Sequence, residues 1–216
     1  MALLPIAAVG VMVEKLRCEL VSNETVYDLA WTLAAQVRDS GFEPDLVVAV
    51  SRGGFTPARV LCDVLGIFNL TSIRVVHYRG PADKEPVATV KYPLCIPVEG
   101  QRLLVVDDVN DTGDTLKAAR GHLEPRGPRE VRTAVLYEKV GSPVRADYAA
   151  GTIDEWRWLI YPWAVVEDVG GFLRRMDPPP RDAAEANLRL RVDYGLEVPV
   201  ALLGRLLALV LQGGLA

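Results

Sequence analysis

Histidine is almost missing from this chain. His77 and His122 are the only two, too few and too scattered for a zinc site. Cysteine is scarce as well: Cys18, Cys62 and Cys95 form no C-x-x-C pair. Each lies in an apolar context, so buried free thiols in a reducing compartment are expected. No G-x-G occurs, which removes the dinucleotide-binding fingerprint. No lysine follows a glycine, which removes a P-loop. Positive charge is not in excess either: 24 Lys and Arg stand against 28 Asp and Glu, for a net charge of −4. That balance argues against a nucleic-acid-binding surface and still allows a local basic pocket. Long apolar runs are few. Val198 to Ala216 carries only Arg205, but it is short and broken by glycine, so a helix docked on the body or on a second subunit is expected in place of a membrane span. Met1 to Val13 is uncharged and mostly apolar, without the basic start or cleavage site of a signal peptide. A frayed leader is expected there, or a start set too early with Met12 the true one.

What is present suits one globular domain, with at most a small appendage: 216 residues, half of them hydrophobic and 24% charged. Val13 to Leu20 reads as an edge strand or a short hood element. Ser22 to Thr25 offers N-caps for a helix over Val26–Asp39, whose Val26, Leu29, Ala30, Leu33, Ala34 and Val37 recur at helical spacing. Leu46–Val50 is an apolar strand, followed by Ser51-Arg52-Gly53-Gly54 and a helix over Thr56–Leu65. Ser72–Tyr78 and Val131–Tyr137 read as further strands, and helix and strand in alternation predict a parallel α/β sheet. Between them, Arg79 to Lys91 is charged and rich in breakers, with Tyr92–Ile96 as a returning strand. Asp177 to Arg181 is a proline-stiffened linker, and helices over Ala183–Arg191 and Leu202–Leu211 follow it.

The stretch from Leu103 to Leu116 organises the rest. Leu103–Val106 is an apolar strand, Asp107 and Asp108 stand where it ends, and a polar turn over Asn110–Thr115 leads into a helix over Leu116–His122. Backbone N–H groups at such a helix N-terminus bind an anion well, and the paired carboxylates suit ribose hydroxyls or Mg²⁺. A calcium loop starting at Asp108 fails because its twelfth position is Ala119. A plain strand with a solvated turn stays open.

In order and residue type, the strand, Asp107-Asp108 and Asp111-Thr112-Gly113-Asp114-Thr115 resemble the phosphoribosyl-diphosphate (PRPP) motif of the type I phosphoribosyltransferases. The resemblance covers about residues 24–170 and is closest to the xanthine-guanine and archaeal-type hypoxanthine-guanine enzymes. It implies an α/β fold with a central, mostly parallel sheet flanked by helices, a small hood and a helical C-terminal appendage. The corresponding division is a leader and edge element over 1–20, the transferase domain over 21–176 and the linker with appendage over 177–216. PRPP would lie against Ser51, Arg52, Gly53 and Gly54 at its pyrophosphate, against Asp107 and Asp108 at the ribose and Mg²⁺, and on Asp111, Thr112, Gly113, Asp114 and Thr115 at the 5′-phosphate. Asp111 would be the catalytic base. Arg79 and Lys84 would belong to a mobile lid, or else that segment is a solvated hairpin.

Trp158-Leu159-Ile160-Tyr161-Pro162-Trp163 resembles the base-binding segment of the same family. The resemblance implies that Trp158 stacks on a purine, that Leu159 and Ile160 read its edge, and that Lys139 meets the oxygen at C6. Trp156 and Trp163 are expected as core or interface anchors. The family often has an acid after the second tryptophan, where this chain has Ala164, with Glu167 and Asp168 further on. The implied activity is transfer of the 5-phosphoribosyl group from PRPP to hypoxanthine, guanine or xanthine in purine salvage, by a cytoplasmic homo-oligomer that engages neither nucleic acid nor membrane. The alternatives are a PRPP- or nucleotide-sensing protein on the same fold, or a transferase for another base.

Overall fold

The structure is a computed structural model; the residues described are 16–80 and 83–211, without the side chains of residues 78–86 and 211. The expected leader and the alternative start at Met12 lie outside the described residues, as do the side chains of Arg79 and Lys84.

A six-stranded sheet forms the centre, in the order β4-β3-β2-β5-β6-β7. Its members are β2 (Leu46–Ser51), β3 (Leu70–Gly80), β4 (Asp83–Tyr92), β5 (Arg102–Asn110), β6 (Glu130–Lys139) and β7 (Tyr148–Ile153). All neighbours are parallel except β3 and β4. The apolar runs of β2 and β5 are buried on both faces because helices cover both. Val47, Ala49, Leu104 and Val106 face α1 (Asn23–Asp39) and α2 (Phe55–Leu65). Leu46, Val48, Val50, Leu103 and Val105 face α3 (Asp114–Leu123). Residues one apart along each strand thus serve opposite cores. Ser22 caps α1, its hydroxyl accepting from the Thr25 N–H at 3.0 Å.

From β2 the chain winds through α2 to β3, and from β5 it winds the other way through α3 to β6. The order reverses between β2 and β5, and such a reversal leaves a crevice beyond the strands' carboxyl ends. Pairing of β2 with β5 stops at Ala49 opposite Val106, while β5 stays paired with β6 as far as Asn110 opposite Glu138. Gly54 is needed at this junction, since a Cβ there would run into the carbonyl of Val106.

Several elements differ from expectation. Strand β5 does not end at Val106; pairing with β6 carries it through both carboxylates. The strand returning from the hairpin is Asp83–Tyr92, because β3 and β4 pair almost up to their turn, and 93–96 is irregular connector. β1 (Cys18–Leu20) is no edge strand of the main sheet. It pairs with β8 (Trp158–Ile160) in a separate two-stranded parallel hood. Cys18 and Cys62 are buried, and burial pushes their thiols up to about 12 and about 11. Cys95 is exposed, since it lies in that connector and not in a core.

A second core fills the space behind the hood. Val169, Phe172 and Leu173 of α4 (Val165–Arg174) pack with Leu190 of α5 (Ala183–Tyr194) and with Leu203 and Leu206 of α6 (Val200–Leu211). The tail helix is therefore docked on this chain's own body. Among the described residues, no helix is long and apolar enough to cross a membrane.

Candidate active site

The crevice at the strand reversal opens into a cleft of about 530 Å³. The turn after β2 supplies one wall. Ser51, Arg52 and Gly53 line it, and the Ser51–Arg52 peptide is cis. Gly53 lies directly against the Asp108 carboxyl, where a Cβ would collide. The guanidinium of Arg52 is paired with Glu167 on α4.

The end of β5 supplies the floor. Asp107 is buried and Asp108 half-buried, and both line the cleft. Burial pushes the Asp107 carboxyl well above the usual range, and the neighbouring Asp108 charge pushes it further. Burial also raises Asp108, against a bond from the Trp163 indole N–H at 3.4 Å. Two adjacent carboxyls whose ionisation burial disfavours would be stabilised as carboxylates by hydrogen-bond donors or a cation. Mg²⁺, an oxygen-seeking ion that keeps several waters, fits this pair only with further oxygens from a substrate. Among the described residues no group of three or more His, Cys, Asp or Glu side chains is gathered for a metal.

Asp111, Thr112, Gly113 and Thr115 lead the cleft into the N-terminus of α3. Gly113 takes φ +80°, and a Cβ there would meet Val144, so the loop can close this tightly only with glycine. Thr112 donates to Asp114 Oδ2 at 2.7 Å, and His77 of β3 lies 3.5 Å from that oxygen. Beneath the loop, buried Glu138 accepts from Asn110 Nδ2 at 2.7 Å and from the Ala146 N–H at 2.9 Å. Arg145 bonds its other oxygen at 3.1 Å. One carboxylate thus ties the end of β5, the end of β6 and the following loop together.

The far wall is aromatic. Lys139 is buried at the end of β6, with Nζ 3.1 Å from Asp111 Oδ2. Burial lowers the Lys139 ammonium, and the Asp111 charge works against that. Nζ stands 4.3 Å from the ring centre of Trp156 and 5.9 Å from that of Trp158. The Trp156 indole donates to Asp111 Oδ1 at 3.2 Å, and Trp158 donates to Asp168 Oδ2 at 2.9 Å. Tyr161 stacks on Trp163 at 4.9 Å, and its hydroxyl donates to the Asp108 carbonyl at 2.9 Å.

Most of the residues singled out from sequence therefore converge on one cleft. Leu159 lines it, whereas Gly54 and Asp114 stand behind it. Ile160 does not belong with the base-facing group. It is fully buried in the second core, and its carbonyl accepts from the Val21 N–H at 3.0 Å, because β8 is an inner partner of β1. Trp156 and Trp163 are not plain anchors, since each binds a cleft carboxylate. Asn110, Glu138, Tyr161, Glu167 and Asp168 carry no individual role in the sequence-based expectations. An acid between an apolar strand and a strand-end lysine is the available sequence signal for Glu138.

The phosphoribosyl transferase domain family matches residues 18–167. A xanthine-guanine phosphoribosyltransferase of Cereibacter sphaeroides is 31% identical over 136 residues, 62% of this chain and 77% of that protein. One from Gluconobacter oxydans is 30% identical over 117 residues, 54% of this chain and 67% of that protein. The crystal structure of a purine phosphoribosyltransferase from Pyrococcus horikoshii covers 68% of this chain and 93% of its own, with TM-score 0.58 and 28% identity. With the strand reversal, the paired carboxylates and the turn into α3 already in place, the match over two thirds of its length makes this chain a member of the phosphoribosyltransferase family.

Proposed function

We propose that the protein transfers the 5-phosphoribosyl group of PRPP to N9 of a 6-oxopurine, releasing pyrophosphate and giving the nucleoside 5′-monophosphate. The observation that carries this is the meeting of Lys139 and Asp111 at 3.1 Å, beside the Trp156 and Trp158 rings and close to the start of α3. A flat base stacked on Trp158 gains on the order of 1–3 kcal/mol. Its C6 oxygen would take the Lys139 ammonium, and that exchange would free Asp111 Oδ2 to accept the proton from N7 as N9 attacks. The bond from the anomeric carbon to pyrophosphate breaks as the bond to N9 forms. Arg52 would receive the departing charge once it leaves Glu167. The N–H groups over Asp111–Thr115 would hold the 5′-phosphate, and Asp107 and Asp108 the ribose hydroxyls. Those same carboxylates would hold Mg²⁺, which when bound offsets the pyrophosphate charge. Preorganised charge of this kind is the larger part of such catalysis.

The transferase unit would comprise residues 21–176, with 177–216 as an appendage, in a cytoplasmic purine-salvage enzyme. Exposed Leu188, Val192 and Val200 on the tail helices support assembly into a homo-oligomer, to be checked by light scattering. Incubation with PRPP, Mg²⁺ and hypoxanthine, guanine, xanthine, adenine, uracil or orotate tests the activity. Nucleotide from the 6-oxopurines is the expected product. PRPP binding without product from any base points instead to a sensor.

A further inference from the structure

The tail helices and Asp168, on the first turn of α4, have no part in the reaction just described. Yet Asp168, on that turn, lines the cleft and is only 4% exposed. The hydrogen-bond donor that meets it is the indole N–H of Trp158, at 2.9 Å. We propose that Asp168 is the positioning residue that fixes the ring of Trp158, and with it the plane in which the base is received.

Trp158 sits at the start of a three-residue strand and is half-buried. Its backbone is held by the Arg17 carbonyl, which fixes the chain and leaves the ring to be set by its two side-chain torsions. A bond from the ring N–H removes that freedom. A carboxylate is a costly buried acceptor if only a structural bond is wanted, since a neutral amide would do the same at lower desolvation cost. It is, however, the stronger acceptor, so it holds the ring more firmly.

The support behind Asp168 is built from the tail. The next residue, Val169, and Phe172 and Leu173 one turn on, pack against Leu190, Leu203 and Leu206. Trp158 itself rests against this second core. The appendage therefore reaches the base pocket through two residues, by way of α4. On the other side of the turn, Glu167 pairs with Arg52, so α4 stands between the base wall and the turn after β2.

This inference rests on Trp158 being the base-stacking residue, and the test separates the two. In steady-state assays with PRPP and hypoxanthine, Trp158→Ala and Asp168→Leu are measured beside the intact protein. Asp168→Leu keeps the shape and removes the acceptor; it is expected to raise the KM for the base by about tenfold while moving the KM for PRPP less than about twofold. Asp168→Asn, which still offers an oxygen to the indole, should bring the base KM back to within about threefold of the intact protein. In a Trp158→Phe background, where the donor is gone, Asp168→Leu should add less than about twofold. Equal effects of Asn and Leu, parallel changes in both KM values, or additivity with Trp158→Phe would overturn the proposal. Should Asp168→Leu fail to fold, the pair Trp158→Phe and Trp158→Phe/Asp168→Asn decides: equal base KM values support it, and a further rise on adding Asn overturns it. If Trp158→Ala leaves the base KM unchanged, the stacking assignment fails. If the intact protein makes no nucleotide, the transferase reading fails and takes this inference with it.

Discussion

Asp111 is held by two partners at once, Lys139 on one oxygen and Trp156 on the other. Oδ1 can keep the Trp156 N–H while Oδ2 takes a proton, but the Lys139 contact at Oδ2 must give way, so a base that draws Lys139 away also activates Asp111. Asp111→Asn keeps the shape and loses the basicity. Its turnover is expected to fall by roughly 10²–10⁴-fold, with PRPP affinity changed only a few-fold, as seen by pre-steady-state kinetics beside equilibrium binding. Asp168 gives a second prediction. Burial pushes its carboxyl up to about 6 from the usual 3.8. Between those two pH values the folded chain holds a proton that the unfolded chain has released, so stability falls as pH rises through that window and stays lower above it. Two units correspond to about 3 kcal/mol. Asp168→Asn, which never ionises, should therefore be the more stable form at pH 7.5, by up to about 3 kcal/mol, and the gap should close near pH 4. Urea unfolding curves of both proteins at the two pH values check the sign.

At the scale of elements, the site is held by what lies under it. Glu138 belongs to β6, yet its carboxylate joins Asn110 at the end of β5 to the backbone at Ala146. Glu138→Ala leaves the part-buried Ala146 N–H without its acceptor and the buried Asn110 amide with the Val144 carbonyl alone, a loss of about 1–3 kcal/mol. Since Asn110 precedes the turn proposed to hold the 5′-phosphate, the KM for PRPP should rise more than that for the base, and initial-rate assays varying each substrate would detect the opposite. Little of this was readable beforehand. The residues of the turn itself form a contiguous motif, so sequence displays them. Glu138 acts on a residue 28 positions away, and only strand pairing reveals that neighbour. The same limit explains Ile160. Its place in a Trp-containing segment suggested a role at the base, while the pairing of β8 with β1 turned it into the second core.

For the molecule as a whole, one main sheet and one appended core are linked through α4. Leu203 and Leu206 are buried completely or nearly so in that appended core. Leu203→Ala should cost about 2–5 kcal/mol by loss of packing and the cavity left behind. Because α4 carries both Glu167 and Asp168, the variant should also raise the KM for the base at temperatures where it is still folded. A calorimetric scan combined with kinetics checks both, and a stability loss with unchanged base KM would mean that the appendage does not reach the pocket.

Sequence by itself determined the α/β alternation, the strand-turn-helix around Asp107–Thr115, the turn at Ser51–Gly54 and the aromatic segment, because each is encoded in neighbouring residues through apolar runs, glycine and capping chemistry. Tertiary structure alone decided which acids share a proton environment, which tryptophans face the cleft and where the tail docks. Those outcomes depend on burial and on partners distant in the chain. Asp111 and Asp168 are the same residue type in sequence; only the fold gives one the Lys139 ammonium and the other the Trp158 indole.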